Sequence, residues 1–153
     1  LQLGHALKLQ GRLDEALDAY ARADALAPVN HAALELAALR EAARMRLPAL
    51  ARAARERGDL AGAAAHCRAH LDAHPEDAPV LVQLGHALKD GGDAAGAEGC
   101  YRRAMALAPD DADIPLQLGH ALKLQGRLDE ALEAYARSDA LAPVNHAALE
   151  LAA

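Results

Sequence analysis

The sequence predicts an all-α solenoid of stacked helix pairs, and three observations predict it. The hydrophobic residues, 53% of the chain, are rich in alanine, with no Phe or Trp and with Tyr20, Tyr101 and Tyr135 as the only aromatics. The string LQLGHALK at 1–8 returns as VQLGHALK at 82–89 and unchanged at 116–123, the last two copies lying 34 residues apart. Glycine and proline punctuate the copies at fixed places. A compact globule fills its centre with large side chains at crystal-like density. An Ala/Leu inventory instead suits thin layers of closely packed helices, and these residues are the strongest helix formers.

Residues 1–38 and 116–153 match at 36 of 38 positions, differing at Asp18/Glu133 and Ala23/Ser138. Such self-similarity is the mark of a repeat architecture. Units of 34 residues run over 44–77, 78–111 and 112–145, preceded by a truncated unit at 1–30. Position 8 of the unit is Gly4, Ala51, Gly85 and Gly119; position 15 is Gly11, Gly58, Gly92 and Gly126. Position 20 is Ala16, Ala63, Ala97 and Ala131; position 24 is Tyr20, Cys67, Tyr101 and Tyr135. Position 32 is Pro28, Pro75, Pro109 and Pro143.

This order of small, small, small, aromatic and proline positions resembles the tetratricopeptide-repeat (TPR) signature over nearly the whole chain. Each position has a physical reason. Glycine at position 15 allows the tight turn between paired helices. Small residues at positions 8 and 20 let the helices approach, and proline at position 32 cannot continue a helix. Asp59 and Asp93 follow their glycines as helix caps, while Asp14, Glu15, Asp129 and Glu130 put negative charge in a first turn.

One stretch departs from the period. The 13 residues HAALELAALREAA after Asn30 have helical apolar spacing, with Asn30 placed to cap them. They predict an extra helix over 31–46 that breaks at Leu47-Pro48. They also account for the 115-residue offset between the near-identical segments. The last residues, 146–153, start the same helix again. The chain begins at Leu1 without methionine and stops inside this helix, so both ends read as cut.

The resemblance implies a right-handed superhelix whose first helices line a concave, peptide-binding face. On the matching positions the candidate groove residues are Gln2, His5 and Lys8; Arg52 and Arg55; Gln83, His86 and Lys89; and Gln117, His120 and Lys123. Unit 44–77 differs, with Ala49 at the glutamine position. Spacing of three aligns these groups on one helix stripe. The three lysines of the chain all hold position 12, while the other 13 basic residues are arginines. Glutamine can pair with the peptide groups of an extended chain, lysine with a carboxylate, and histidine with either donor or acceptor. The expected partner is a protein or peptide, extended and partly acidic.

The pattern departs from the lysine–asparagine clamp of TPR adaptors that hold chaperone tails, having Gln at position 6 and His at position 9. LGHALKLQGRLDEALEAY is similar to repeats preceding the catalytic domain of O-linked N-acetylglucosamine transferases and related bacterial enzymes. That similarity implies a substrate-presenting arm of a larger glycosyltransferase as an alternative. A self-assembling or engineered repeat array is the third, since truncated ends would expose apolar helix faces and favour self-association.

The remaining signals point to structure. A net charge of −6 argues against nucleic acid, and no apolar run is long enough for a membrane span. Cys67 and Cys100 have neither metal nor disulfide spacing, which fits a reducing, cytoplasmic setting. His66, His70 and His74 share a helix face but lack further donors for a metal. Gly91-Gly92-Asp93 is a turn and cap, and the acidic residues Asp72, Glu76, Asp77 and Asp110 to Asp113 fall in solvated turns. The one serine, Ser138, belongs to a packed helix. No cofactor and no catalytic residues are expected.

Overall fold

The computed structural model describes residues 1–26 and 30–142. These residues form eight α-helices and no strand: α1 Gln2–Leu9, α2 Leu13–Leu26, α3 Asn30–Glu56, α4 Leu60–Ala73, α5 Ala78–Asp90, α6 Ala94–Leu107, α7 Asp113–Leu124 and α8 Leu128–Leu141. The chain divides into two compact units, Leu1–Arg46 and Leu47–Ala153. Among the described residues no helix is long and apolar enough to cross a membrane.

Local rules set the turns. Gly11, Gly58, Gly92 and Gly126 all adopt positive φ, between 74° and 90°, which opens the sharp turn before each second helix. Two solutions then start that helix. Asp59 and Asp93 accept the backbone N–H of Gly62 and Gly96, each at 2.8 Å. In the other two pairs an arginine stands at the cap position and ties to the glutamate three residues on. Arg12 Nε donates to Glu15 Oε1 and Arg127 Nε to Glu130 Oε1, both at 2.7 Å, keeping the carboxylate beside the positive end of the helix dipole.

In the first unit, Leu7 of α1, Ala16 and Tyr20 of α2, and Leu36 and Leu39 of α3 form the core. In the second, α4 packs on α5, α5 on α6, α6 on α7 and α7 on α8, so each helix buries its apolar face against the next. This is the nearest-neighbour stacking of a solenoid. Ala63, Ala97 and Ala131 are within 2% of complete burial.

The expected break at Leu47-Pro48 does not occur. The extra helix and the first helix of unit 44–77 are one helix, α3, with Pro48 inside it. A proline there forfeits one backbone hydrogen bond, a cost of about 3 kcal/mol. Pro48 is itself almost fully buried, and α3 has helix-favouring Arg, Met, Leu and Ala on both sides of it, which offset that cost. The cap expected from the Asn30 side chain, Pro28 and Pro143 at position 32, and the restarted helix at 146–153 lie outside the described residues.

Candidate functional site

A tyrosine from the second helix of each regular pair packs against a glycine of the first helix, beside the polar stripe. A Cβ on Gly85 would stand 2.5 Å from Tyr101 Cε1, and one on Gly119 2.3 Å from Tyr135 Cε1. Gly4 has the same relation to Tyr20 in the first unit. The neighbouring histidine then meets the ring edge. Centroid distances are 5.5 Å for His5–Tyr20, 5.8 Å for His86–Tyr101 and 5.6 Å for His120–Tyr135, with interplanar angles of 60–63°. Tyr20 OH and His5 Nδ1 are hydrogen-bonded.

Burial fixes the direction of the proton in the second unit. It raises the Tyr101 phenol well above the usual tyrosine range. It also pushes His86 below the ordinary imidazole range, helped by the charges of Lys89 and Arg55 and opposed by Asp113 and Asp90. The phenol therefore keeps its proton and donates it to the neutral Nδ1 of His86 across 3.0 Å. The fold thus holds His86 as a neutral acceptor at Nδ1.

Gln2, His5 and Lys8 lie on α1, where Lys8 Nζ donates to Glu35 Oε2 at 2.8 Å. Arg52 and Arg55 lie on α3, Gln83, His86 and Lys89 on α5, and Gln117, His120 and Lys123 on α7. The structure joins neighbouring helices through this set. Lys89 Nζ donates to Gln117 Oε1 at 2.9 Å. Burial pushes the Lys89 ammonium below the usual lysine range; Arg55 adds to this, against the pull of Asp90 and Asp113.

One register position earlier the same link is not made. Arg55 turns instead to Asp90 Oδ2, with contacts of 2.9 and 2.7 Å from Nε and Nη2. Gln83, the counterpart of Gln117, is left with a buried Oε1 that has no hydrogen-bond partner. Beside it opens a cavity of about 450 Å³, lined among others by Ala51, Arg52, Arg55, Ala63, Cys67 and Gln83.

Three further sets of contacts, not visible in the sequence, tie the helices together. Asp90 makes one. Glu98 is another, accepting from Gln125 Nε2 (3.0 Å), Arg102 Nε (2.8 Å) and Arg127 Nη1 (2.7 Å), so that α6, α7 and the start of α8 are tied together. Burial works to raise the Glu98 carboxyl, but these bonds and the two arginines hold it below the usual carboxylate range. The third is the pair His70 and Asp77: Asp77, expected in a solvated turn, instead has its side chain only 8% exposed and its Oδ2 at 2.9 Å from Nε2 of the buried His70. Among the described residues no group of three or more His, Cys, Asp or Glu could hold a metal ion. Cys67 and Cys100 are buried free thiols, and burial pushes Cys67 up to about 11. Ser138 is fully buried, its hydroxyl donating to the Ala112 carbonyl at 2.7 Å.

The co-occurrence of Gly, His and Tyr at positions 8, 9 and 24 was a usable signal. Three units carry all three residues, and unit 44–77 replaces them together with Ala51, Arg52 and Cys67.

Two family profiles, each described as tetratricopeptide repeat, match residues 82–146 and 1–30. Among curated proteins no sequence matches. Solved structures of similar fold include the first TPR domain of human RPAP3 (24% identity, TM-score 0.68), over 71% of this chain and 87% of that one. The first TPR of Spaghetti (RPAP3), solved bound to an HSP90 peptide, aligns with the same identity, TM-score and coverage. The structure of MamA aligns with TM-score 0.63 at 22% identity, over 94% of this chain and 76% of that one. A mutant of the Thermobaculum terrenum O-GlcNAc transferase aligns with TM-score 0.66 at 28% identity. It covers 73% of this chain, which spans only 22% of the enzyme's length.

Proposed function

The chain belongs to the tetratricopeptide-repeat family, and we propose that it is a protein-interaction scaffold whose first helices hold an extended, partly acidic polypeptide. Lys89 carries this reading. Its half-buried ammonium sits in the stripe with a neutral amide, Gln117, as its hydrogen-bond partner. A ligand carboxylate would be the stronger partner, because charge-assisted bonds are about twice as strong as neutral ones. Glutamines 83 and 117 can pair with the ligand's peptide groups, and Arg52 extends the positive stripe along α3. Replacing Lys89 and Lys123 together with alanine should weaken binding of an acidic peptide about tenfold, near 1.4 kcal/mol, in isothermal titration calorimetry. Equal affinity of the variant and the parent would refute the assignment.

The likeness to the O-GlcNAc transferase repeats supports a second reading, the substrate-presenting arm of a larger glycosyltransferase. A nucleotide-sugar-binding domain in the same reading frame decides for it.

Self-association has its own support. The same sequence occurs in two settings: Leu118 is 3% exposed, while its counterpart Leu3 is 66% exposed. In the second unit α6 packs against α7, and its Arg102 and Met105 share a cleft with Pro115, Leu118 and Leu122. In the first unit Leu3 joins Leu1, Leu7, Ala19, Ala23 and Leu26 around an open cavity of about 530 Å³. A second copy of the chain is the proposed occupant. Light scattering over a dilution series should show a mass that rises with concentration and a Leu3→Glu variant that stays monomeric. A parent protein that is monomeric throughout micromolar concentrations contradicts it.

A further inference from the structure

The cavity between α3, α4 and α5 is where a ring is missing. In the other three pairs a tyrosine fills the space between first and second helix; here Cys67 stands in its place, 1% exposed at the cavity floor. The first-helix partners have changed with it. Ala51 replaces the glycine that admits the ring in the sister pairs. Arg52 replaces the histidine that would meet that ring.

What remains is a cavity of about 450 Å³, of the size that takes a small ligand or a single large side chain. Ala51, Leu60, Ala63 and Cys67 are its apolar lining. Gln83 lines it, and the Oε1 of this side chain is buried as an acceptor without a donor. A buried polar atom left unpaired costs about 1–3 kcal/mol, so an occupant that brings a donor gains this back. Its rim carries Arg52, which has no hydrogen-bond or ion-pair partner among the described residues. The neighbouring Arg55, which also lines the cavity, is held by Asp90.

From this we propose that the cavity binds a tyrosine side chain of the docked polypeptide, which supplies from outside the ring that α4 lacks. The phenol ring rests on Ala51, Ala63 and Cys67. Its hydroxyl donates to Gln83 Oε1, and the Arg52 guanidinium lies over the ring face, where it is attracted by the ring's quadrupole. An aliphatic side chain would fill the floor and leave Gln83 unpaired; a carboxylate would bring a second acceptor to it. The proposal deepens the groove reading above and depends on it for the chain that delivers the side chain. It adds a sequence preference: one tyrosine at a fixed spacing from the acidic residues.

The test separates the two ideas. N-acetyltyrosinamide is titrated into the intact protein and backbone amide shifts are followed by NMR. Saturable shifts are expected at Ala51, Ala63, Cys67 and Gln83, none with N-acetylalaninamide, and about three- to tenfold weaker ones with the phenylalanine analogue for the lost hydroxyl bond. The double variant Ala51→Gly/Cys67→Tyr rebuilds the packing of the sister pairs and closes the cavity from within. It should fold with parental helicity and lose the tyrosinamide response. Absence of shifts at these four residues, or an undiminished response in the double variant, overturns the proposal. An acidic peptide is then titrated separately. Its failure to bind, with the tyrosinamide response intact, counts against the groove reading and leaves the cavity assignment standing.

Discussion

Tyr101→Ala should lower the unfolding free energy by about 3–5 kcal/mol, the range for removing a large aromatic from a packed core. The side chain is 0% exposed, its ring lies against the backbone of Gly85, and its hydroxyl satisfies His86 Nδ1. Truncation therefore removes the largest side chain between α5 and α6 and strips a half-buried imidazole of its donor. Because stacking is nearest-neighbour, the loss also loosens the support of the stripe on α5. Urea unfolding followed by circular dichroism measures it. Cys67→Ala is the control: the pair α3–α4 already lacks the ring, so its cost should be about 1 kcal/mol or less. Similar losses for the two variants would contradict the account of the tyrosine as the spacer between helices.

The second large effect reverses sign with context. Gly85→Ala adds a methyl 2.5 Å from Tyr101 Cε1, and overpacking of this kind costs about 1–3 kcal/mol. Alanine's better helix propensity returns up to about 1 kcal/mol. The clash should win, because the ring is fully enclosed and cannot swing aside. In a Tyr101→Cys background the clash is gone and only propensity remains, so the same Gly85→Ala change should stabilise. Nature has made this paired change once already in the chain, as Ala51 with Cys67. A thermal-unfolding double-mutant cycle reads the coupling directly. Additive effects would mean that glycine at this position is not there to admit the tyrosine.

Features governed by neighbours along the chain were legible in the sequence. The turn glycines, the caps Asp59 and Asp93, and the buried alanines all follow from what a residue does to its own few neighbours. Pro48 was misread for the same reason: a local rule breaks the helix there, while burial and the helix formers on both sides carry it through. The residues of the stripe fall on the first helices α1, α3, α5 and α7, and their internal wiring was not visible in the sequence. Lys89 to Gln117, Arg55 to Asp90, and Glu98 to Arg127 join residues about 30 apart. Such contacts depend on how far one helix pair is stacked from the next. Asp90 shows the limit well: only in the folded chain does it draw Arg55 away and leave Gln83 without a partner. The cavity was equally hidden, since a cysteine at position 24 reads as a small buried residue until the missing ring is seen.

The most direct measurement is an NMR titration of the intact protein with an extended acidic peptide. Binding in the first-helix groove predicts amide shifts clustered on Arg52 to Arg55 of α3 and on the stripe residues of α5 and α7. It also predicts that the titration of the Lys89 side chain moves upward as a carboxylate joins it. Shifts confined to the second helices α4, α6 and α8, with Lys89 unmoved, would contradict the account.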